Sequence, residues 1–531
     1  MGQDTAGTAS GGESIEVAGI ISVNSGAHMT NTVVTLYPKT YNPYLDGTVP
    51  DSLVDTTDEE GIYRFENVET GSYNIKAVSA KGLMLALKQG INITEKKDTT
   101  ITLSEMFLKP PGKINVSLQE VSAKEGDYVC LPGTGVSALI NTQNVTEQLV
   151  AVSDVPVGSY RELVYGDSVG ANLNLLDSSL EVVSDSLSVV APYRAWNKSK
   201  KIIINTSVSG ADIKEMLVNY PLLVRLDSSH FSFSDAKSDG GDIRFSTSAG
   251  KVLQYEVEYW DLENKKAELW ILVDTILGDN SEQFITMHWD NATVAEGEDG
   301  AAVFDTADGF TGVWHLGETG ATDSDGFKDA TANGDHGTGV SLDMSSSGSS
   351  VVGSGQTFDG IDDYVDLGES QGLDGVTSFS VSFWCLADTV AFSSFAGILA
   401  RGTEERLGAP YVYGVVGDSS IRMTFTTLDV EGDGDVVTAP LEQGKWHYVS
   451  FTWDGNVVTA YLDGVPGATD TTTGTVLRTS DGNNWIGAMP GWGKWDGKLD
   501  EMRISSLPRS ADWVKFCYET QKPGTTILKF K

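Results

Sequence analysis

The sequence predicts an all-β protein organised as a string of β-sandwiches. Apolar and polar residues alternate with a period of two over many short runs, as at Phe379, Val381 and Phe383 with serines between them. Such alternation is typical of strands that bury one face. Turn pairs such as Asp-Gly and Asn-Gly separate the runs, and 58 glycines are spread along the chain. Long helical periodicity is almost absent, which favours sandwiches over helical or α/β classes.

Composition limits the number of domains and the range of partners. At about 150 residues per domain, the 531 residues correspond to three or four domains. The formal net charge of −38 excludes nucleic acid and anionic membranes as partners, because both select cationic surfaces. No apolar run approaches the roughly 20 residues of a membrane-spanning helix. The acidic, Ser-, Thr- and Gly-rich composition predicts an extracellular or cell-surface bacterial protein, lipid-anchored or secreted, with the periplasm as the less favoured location.

The chain divides into a short tether and four predicted domains. Pro110-Pro111 forms a stiff, extended joint, and the region 191–195 forms a second joint. The start of the chain is small and polar, so it is expected to be a flexible tether rather than a signal peptide. The predicted segments are the tether 1–13, two sandwiches at 14–109 and 110–194, a third β domain at 195–308 and a last domain at 309–531.

The first two sandwiches share a sequence pattern. "FENVETGSYNIKAV" (Phe65–Val78) is echoed by "VSDVPVGSYRELVY" (Val152–Tyr165), with Gly-Ser-Tyr at the same place. The run Thr57–Phe65, followed by Gly71–Tyr73, resembles the carboxypeptidase regulatory-like domain, a transthyretin-like sandwich. The resemblance implies an accessory domain and not a peptidase. The echo predicts a second sandwich of the same type across 110–194.

The third segment is rich in Trp and Tyr and resembles another family. The matching runs are Tyr220-Pro221, "DGGDIRF" (Asp239–Phe245), "YEVE" (Tyr255–Glu258) and "AELW" (Ala267–Trp270). They resemble the domain of unknown function 2341. The resemblance implies membership of that family and assigns no activity.

The last segment contains several motifs in a characteristic order. They include "GFTGVWHLGE", "QTFDGIDDYVDLG", "GKWHYVSFTWDGNVVTAYLDGV" and "KLDEMRIS". Together they resemble a laminin-G-like, concanavalin-A-like jelly roll of the bacterial lectin and glucanase superfamily. The resemblance implies a jelly-roll fold that in some relatives binds carbohydrate and in others hydrolyses it.

Sugar binding needs exposed aromatic faces, because pyranose rings present C–H patches that stack on indole. Trp492 and Trp495 stand in the Gly-rich segment "MPGWGKWDGK", between two late strands and with little core to fill. We therefore expect them to form a carbohydrate-binding platform. Folding back over a sandwich edge is the alternative for such rings.

Calcium is the ion that the acidic residues favour. Asp359 and Asp500 lie on the first and last long strands of the jelly roll, which are paired in the superfamily. If the two carboxylates meet, they offer the hard oxygen ligands that Ca²⁺ takes. Both residues are also compatible with ordinary structural roles, Asp359 in an Asp-Gly turn and Asp500 at a strand end.

Catalytic motifs are absent from the sequence, so the chain is predicted not to be an enzyme. The glucanase relatives carry E-x-D-x-x-E or E-x-D-x-E on one strand, and nothing here matches. Glu256 and Glu258 project to one face but are expected to be solvated, whereas Asp500 and Glu501 are expected to project oppositely. His315 is expected to pack at a core edge.

Three cysteines are too few and too distant for a disulfide framework or a cysteine metal site. A bridge between Cys385 and Cys517 is one alternative, and buried free thiols are the other.

The sequence thus predicts a non-catalytic secreted or cell-surface protein. Its jelly roll would bind a polysaccharide or cell-surface glycan, and the upstream sandwiches would act as spacers. A structural or adhesive component with protein partners and no sugar site is the first alternative. A glycoside hydrolase is the second.

Overall fold

The computed structural model describes residues 15–531 with short gaps. The gaps are at 24–25, 95–98, 120, 169–172, 178–179, 191, 194–195, 320–322, 324, 370–372, 374, 391, 393–394, 404–405, 408–410, 429, 431–432, 478–482 and 490. The predicted tether therefore lies outside the described residues. Strands make up 49% and helices 6% of the structure, which confirms the all-β prediction. The chain forms two compact units, one of residues up to 194 with 248–252 and the other of 195–247 with 253–531.

The first unit begins with a sandwich of two four-stranded sheets. One sheet has the order β4-β1-β7, with β8 also paired to β1, and the other has the order β3-β2-β5-β6. Val17, Leu36, Tyr63, Phe65 and Ile75 fill the space between them. The strands are β1 Ile15–Val23, β2 Val33–Pro38, β3 Val54–Thr56, β4 Ile62–Phe65, β5 Gly71–Val78, β6 Leu85–Ile93, β7 Thr99–Thr102 and β8 Met106–Leu108, with a 3-10 turn at Asp51–Leu53.

A second set of sheets in the same unit encloses its own core. The sheet orders are β11-β10-β14-β15, β12-β9-β17 and β13-β16. Ile114, Val116, Val129, Leu131 and Val152 belong to the enclosed core. The elements are β9 Gly112–Ser117, β10 Tyr128–Leu131, β11 Val136–Leu139, α1 Thr142–Glu147, β12 Leu149–Val155, β13 Gly158–Tyr160, β14 Leu163–Gly166, β15 Leu173–Asp177, β16 Leu180–Val182 and β17 Leu187–Val190.

The repeated Gly-Ser-Tyr pattern has one structural meaning in both sandwiches. In the first, the hydroxyl of Tyr73 donates a hydrogen bond to the carbonyl of Glu69, four residues earlier, at 3.1 Å. In the second, the hydroxyl of Tyr160 donates to the carbonyl of Pro156 with the same spacing. Both rings are buried. Each tyrosine therefore ties its own strand to the turn that precedes that strand.

The second unit opens with the region 195–308 apart from 248–252, and this region contains two sheets. The five-stranded sheet has the order β21-β20-β24-β18-β42, and the three-stranded sheet has the order β19-β23-β22. The elements are β18 Lys198–Ile204, β19 Leu217–Asp227, β20 Arg244–Thr247, β21 Val252–Leu253, β22 Tyr255–Asp261, β23 Lys266–Ile276, β24 Phe284–Trp289 and α2 Gly300–Val303, with 3-10 turns at Phe233–Asp235 and Thr306–Asp308.

The jelly roll is formed by two large sheets. The eight-stranded sheet has the order β27-β28-β41-β30-β36-β37-β38, with β25 also paired to β41. The nine-stranded sheet has the order β26-β29-β39-β31-β33-β34-β35, with β32 and β40 paired to β31. The strands are β25 Phe310–Trp314, β26 Thr338–Val340, β27 Ser347–Ser349, β28 Ser354–Asp359, β29 Tyr364–Gly368, β30 Phe379–Ala387, β31 Ala396–Thr403, β32 Arg406–Leu407, β33 Tyr411–Gly414, β34 Ile421–Phe425, β35 Gly434–Val437, β36 Trp446–Trp453, β37 Val457–Leu462, β38 Val465–Thr471, β39 Asn484–Ile486, β40 Gly493–Lys494 and β41 Asp496–Ser505. Two elements follow the jelly roll, α3 Ala511–Gln521 and β42 Leu528–Phe530.

The segment after the jelly roll packs against the region 195–308, so one apolar core includes residues on both sides of the predicted boundary at 308/309. The helix α3 begins at Ser510, whose hydroxyl accepts a hydrogen bond from the amide of Trp513 at 3.2 Å, and it ends before Pro523. On this helix, the ring centroid of Phe516 lies 4.9 Å from that of Tyr220 on β19. The last strand, β42, pairs with β18. One apolar core therefore runs from 195–308 through α3 to the outer face of the eight-stranded sheet.

All three cysteines are buried free thiols, which settles the alternative left open by the sequence. Cys385 belongs to the core between the two jelly-roll sheets. Cys517 lies on α3, where its sulfur is 3.4 Å from the hydroxyl of Tyr220. The two residues sit in different cores and do not pair.

Candidate functional site

Aromatic side chains gather on the outer face of the nine-stranded sheet. Period-two alternation along β31, β33 and β39 sends Val412 and Ile486 into the core and turns their neighbours outward. We call this set the aromatic face; its members are Phe395, Tyr411, Tyr413, Trp485 and Trp492.

Trp492 is the most accessible ring of the aromatic face. Its side chain is 54% exposed, and its ring centroid lies 5.0 Å from that of Phe395. Phe395 in turn contacts the ring of Tyr413 edge-on at 5.3 Å. The three rings therefore form a continuous apolar surface open to solvent at Trp492.

Polar groups border the aromatic face. Arg422 on β34 holds Asp435 in an ion pair at 2.7 Å, beside Tyr413. Burial raises the pKa of Tyr413, so its hydroxyl stays protonated at neutral pH. The guanidinium, carboxylate and hydroxyl groups offer both donors and acceptors next to the apolar rings.

The prediction that Trp495 also lies on an open loop is wrong. Its side chain is 0% exposed, and its ring packs 5.7 Å from Phe392 in the core between the sheets. The segment around it forms β40 and the start of β41 rather than a loop. Trp495, Gly497 and Leu499 follow the inward alternation of β41, so only Trp492 of the predicted pair reaches solvent.

The outer face of the eight-stranded sheet carries a buried polar group. We call it the carboxylate–histidine cluster; its members are Glu256, Glu258, His315, Asp500 and Glu501. The first two come from β22, His315 follows β25, and the last two come from β41. The cluster therefore combines side chains from the region 195–308 with side chains from the jelly roll.

His315 lies at the centre of the carboxylate–histidine cluster. Its Nδ1 is 2.6 Å from Oε1 of Glu501 and 3.5 Å from Oε2 of Glu258, and its Nε2 is 3.4 Å from Oε2 of Glu256. The expectation that Glu256 and Glu258 form a solvated strand face is therefore wrong. The side chain of Glu258 is 6% exposed and that of Glu501 is 1% exposed.

Further donors surround the carboxylates. The indole Nε1 of Trp270 donates to Oε2 of Glu258. Arg503 donates to Oε2 of Glu501, with its Nε at 3.1 Å, and its guanidinium lies 4.1 Å from the ring centroid of Trp270. Asp500 accepts hydrogen bonds from two main-chain amides, those of Val351 and Val352.

The electrostatics of the cluster separate its carboxyl groups. Burial raises the pKa of Glu258 well above its usual range, and the charge of Glu501 adds to the rise. Asp500 is raised for the same two reasons. Burial alone would also raise the pKa of Glu501, but His315 and Arg503 offset it and hold that pKa at about 2. Burial opposes the charged form of His315, yet Glu501, Glu258 and Glu256 raise its pKa well above its usual range.

Two β-bulges aim the acidic side chains into the cluster. The pairing of β30 with β41 shifts between Ser382 and Trp384, and Glu501 takes a left-handed backbone conformation with φ of 54°. Asp500 and Glu501 therefore both leave the core side of β41, contrary to the expectation that they project oppositely. A second bulge in the pairing of β22 with β23 falls at Glu258.

The structure contradicts a calcium ion shared by Asp359 and Asp500. Strands β28 and β41 do pair, but Asp359 stands opposite Asp496, four residues from Asp500, which corresponds to about 13 Å along the strand. Asp500 is buried, whereas Asp359 is exposed at a turn. Oδ1 of Asp359 accepts from the amides of Ile361 and Asp362. Its role is that of the turn aspartate.

A cavity of 710 Å³ opens beside the cluster. It lies between the three-stranded sheet, the β27–β28 hairpin and the segment that leads to β42. Its wall includes Arg225 and Glu268, which form an ion pair at 2.7 Å, and Gly353, whose amide donates to Glu268. A Cβ on Gly353 would lie 3.1 Å from Oε1 of Glu258, so the thickness of one glycine separates the cavity from the cluster.

Two family models match the second unit. Residues 239–317 match the domain of unknown function DUF2341, and residues 359–515 match the concanavalin A-like lectin/glucanases superfamily. The chain therefore contains a DUF2341 domain and a C-terminal laminin-G-like, concanavalin-A-like domain, as the motifs predicted. The resemblance of 14–109 to the carboxypeptidase regulatory-like domain stays a prediction.

Several solved structures are similar to part of the chain. Domain 4 of AbnA, a GH43 extracellular arabinanase from Geobacillus stearothermophilus in complex with arabinotriose, is 16% identical, with a TM-score of 0.30 over 39% of this chain and 97% of that one. The receptor binding domain of botulinum neurotoxin D is 14% identical, with a TM-score of 0.30 over 40% and 53%. A heptameric SAP-like pentraxin from Limulus polyphemus is 17% identical, with a TM-score of 0.22 over 27% and 70%. At these identities the likeness concerns the fold alone.

Comparison with curated protein sequences gives no match. Of the helices in the described part of the chain, none has the length and apolar character that a membrane crossing requires.

Proposed function

We propose that this chain is a non-catalytic carbohydrate-binding protein of the cell exterior, and that the aromatic face of the nine-stranded sheet is its sugar platform. The ligand would be a polysaccharide or a cell-surface glycan. The two sandwiches of the first unit would act as spacers. The expected location outside the cell rests on the acidic composition and is part of the proposal.

The exposed ring of Trp492 over Phe395 is the observation that carries this proposal. Stacked aromatic rings that remain open to solvent match the C–H face of a pyranose. Asp435 and Arg422 stand where they can bind the hydroxyl groups of a sugar that lies on Tyr413. The family model that matches residues 359–515 represents a superfamily of lectins and glucanases, which is consistent with such a ligand.

Binding without turnover is the part of the proposal that concerns catalysis. A glycosidase needs two carboxyl groups that flank an accessible glycosidic bond. In the carboxylate–histidine cluster, Glu258 and Glu501 are buried, with side chains 6% and 1% exposed. A sugar ring does not reach them. We expect the full chain to leave β-glucans, xylans and pectins intact.

A glycan array probed with the full chain tests the proposal. We expect the wild-type chain to retain at least one polysaccharide and Trp492→Ala to retain it more weakly, by about tenfold for a loss of roughly 1.4 kcal/mol. Ile361→Ala is the matched control, because Ile361 is an exposed apolar residue of the same jelly roll outside the aromatic face.

Two results would overturn the sugar platform. One is equal retention by the wild type and Trp492→Ala, which would move the site elsewhere. The other is a wild-type chain that retains no glycan, which would favour a structural or adhesive role with protein partners. Release of reducing sugar by the wild type would contradict the non-catalytic part and restore the hydrolase alternative.

A further inference from the structure

Three side chains of the carboxylate–histidine cluster have the spacing of metal ligands. One ligand atom from each of Glu258, His315 and Glu501 lies within 4.8 Å of the others. The three residues come from β22, from the turn after β25 and from β41, so the fold and not local sequence brings them together. An imidazole and two carboxylates are a common set of protein ligands for divalent transition metals.

One oxygen of this set is buried without a partner. Oε1 of Glu258 accepts no hydrogen bond from any described residue, and the side chain is only 6% exposed. A buried carboxylate oxygen without a hydrogen bond or an ion is costly. The oxygen points to a ligand that the protein itself does not supply.

The remaining oxygens of the two glutamates are already held in place. Trp270 donates to Oε2 of Glu258, and Arg503 donates to Oε2 of Glu501. Such contacts behind a ligand fix its orientation and leave the other oxygen available. Oε1 of Glu501 faces His315 Nδ1, which would release its proton to solvent when a metal ion takes its place.

We propose that Glu258, His315 and Glu501 bind one divalent transition-metal ion, with Zn²⁺ as the best match to the ligand set. The imidazole distinguishes the site from a calcium site, whose ligands are oxygen atoms alone. The ion joins the DUF2341 sheet to the jelly roll from the inside, at a place distinct from the aromatic face. The inference is independent of sugar binding.

Metal titration of the full chain tests the site. The chain is treated with EDTA, dialysed and titrated with Zn²⁺, Mn²⁺ and Ca²⁺ in separate experiments, with stoichiometry from calorimetry and metal content from mass spectrometry. We expect one Zn²⁺ per chain, tighter binding of Zn²⁺ than of Ca²⁺, and a melting temperature that rises with Zn²⁺.

Glu258→Gln is the decisive variant. Glutamine has the shape of a protonated glutamic acid, so the fold should survive, but it cannot supply a carboxylate ligand. Its affinity for Zn²⁺ should fall by more than about 100-fold, since loss of a mere supporting contact costs 10–100-fold. Asp359→Asn is the matched control: it alters one exposed member of a separate acidic group, Asp359, Asp362 and Asp363, and should leave the affinity unchanged.

Three outcomes would overturn the site. Absence of Zn²⁺ binding by a folded wild-type chain is the first, and binding of Ca²⁺ in preference to Zn²⁺ is the second. The third is unchanged Zn²⁺ affinity in Glu258→Gln. If Glu258→Gln fails to fold by circular dichroism, cobalt absorption decides, since Co²⁺ bound to wild-type His315 gives visible bands and Co²⁺ bound by surface carboxylates and water gives only weak ones.

Discussion

The two outer faces of the jelly roll differ although the same alternation builds both. On the eight-stranded sheet, Trp384, Tyr448 and Tyr461 point outward and are buried by α3 and the DUF2341 region. On the nine-stranded sheet, Trp492 and Phe395 point outward and remain accessible. An aromatic residue that points outward from the jelly roll therefore does not by itself indicate a binding surface. What it indicates depends on whether another layer of the protein covers it.

The covered face satisfies the polar atoms of its aromatic residues within the chain. The indole of Trp384 donates to Oε1 of Gln521 on α3 at 2.7 Å. The hydroxyl of Tyr220, from the covering sheet, lies 3.3 Å from that of Thr520. The open face instead places its rings beside charged groups at the surface. The comparison teaches that one outer face of this jelly roll is covered by the rest of the second unit and that the other stays open to solvent.

The largest expected effect comes from the covered face. Phe516→Ala removes a fully buried ring between α3 and Tyr220 and should lower the free energy of unfolding by about 3–5 kcal/mol. Trp492→Ala, on the open face, should lower it by less than about 1 kcal/mol. Urea unfolding followed by fluorescence measures both. Equal losses in the two variants would remove the distinction between the faces.

A pH-dependent loss of stability should arise in the region 195–308, from a residue that belongs to neither outer face of the jelly roll. Burial lowers the pKa of His288, on β24, from 6.5 to about 4. As the pH falls, the imidazole of His288 therefore takes up a proton in the unfolded chain before it does so in the folded chain. The stabilisation is complete above pH 6.5 and is lost toward pH 4, at up to about 1.4 kcal/mol per pH unit.

His288→Gln isolates this contribution from that of the carboxylates. The difference in unfolding free energy between wild type and variant should shrink as the pH falls from 7 to 4.5. A difference that is constant over this range would show that His288 has an ordinary pKa in the folded chain.

A smaller effect is expected for the reactivity of the cysteines, which compares the core between the sheets with the covered face. Burial raises the pKa of Cys385 in the core and of Cys517 on α3. Both thiols should resist alkylation at pH 8 in the native chain and react in urea. Rapid alkylation of Cys517 alone would indicate that α3 opens from the eight-stranded sheet.

The strands could be predicted from the sequence because the period-two alternation is local. The location of Trp495 could have been predicted by the same rule, because Trp495, Gly497 and Leu499 are spaced two apart and all face the core. The Gly-rich composition of this segment instead suggested a loop. The carboxylate–histidine cluster could not be predicted, because His315 and Glu501 are 186 residues apart and a bulge reverses the direction of Glu501. The helix α3 had a readable signal, with Ser510 before it and Pro523 after it.

The most direct test of the sugar platform measures binding and stability on one variant, Phe395→Ala/Trp492→Ala, in the full chain. Affinity electrophoresis in the polysaccharide that the array identifies gives the retention, and thermal unfolding gives the stability. We expect retention to be abolished while the melting temperature stays within a few degrees of the wild type, because both rings lie outside the core between the sheets. Retention equal to that of the wild type, or loss of retention together with unfolding, would contradict the assignment of the aromatic face.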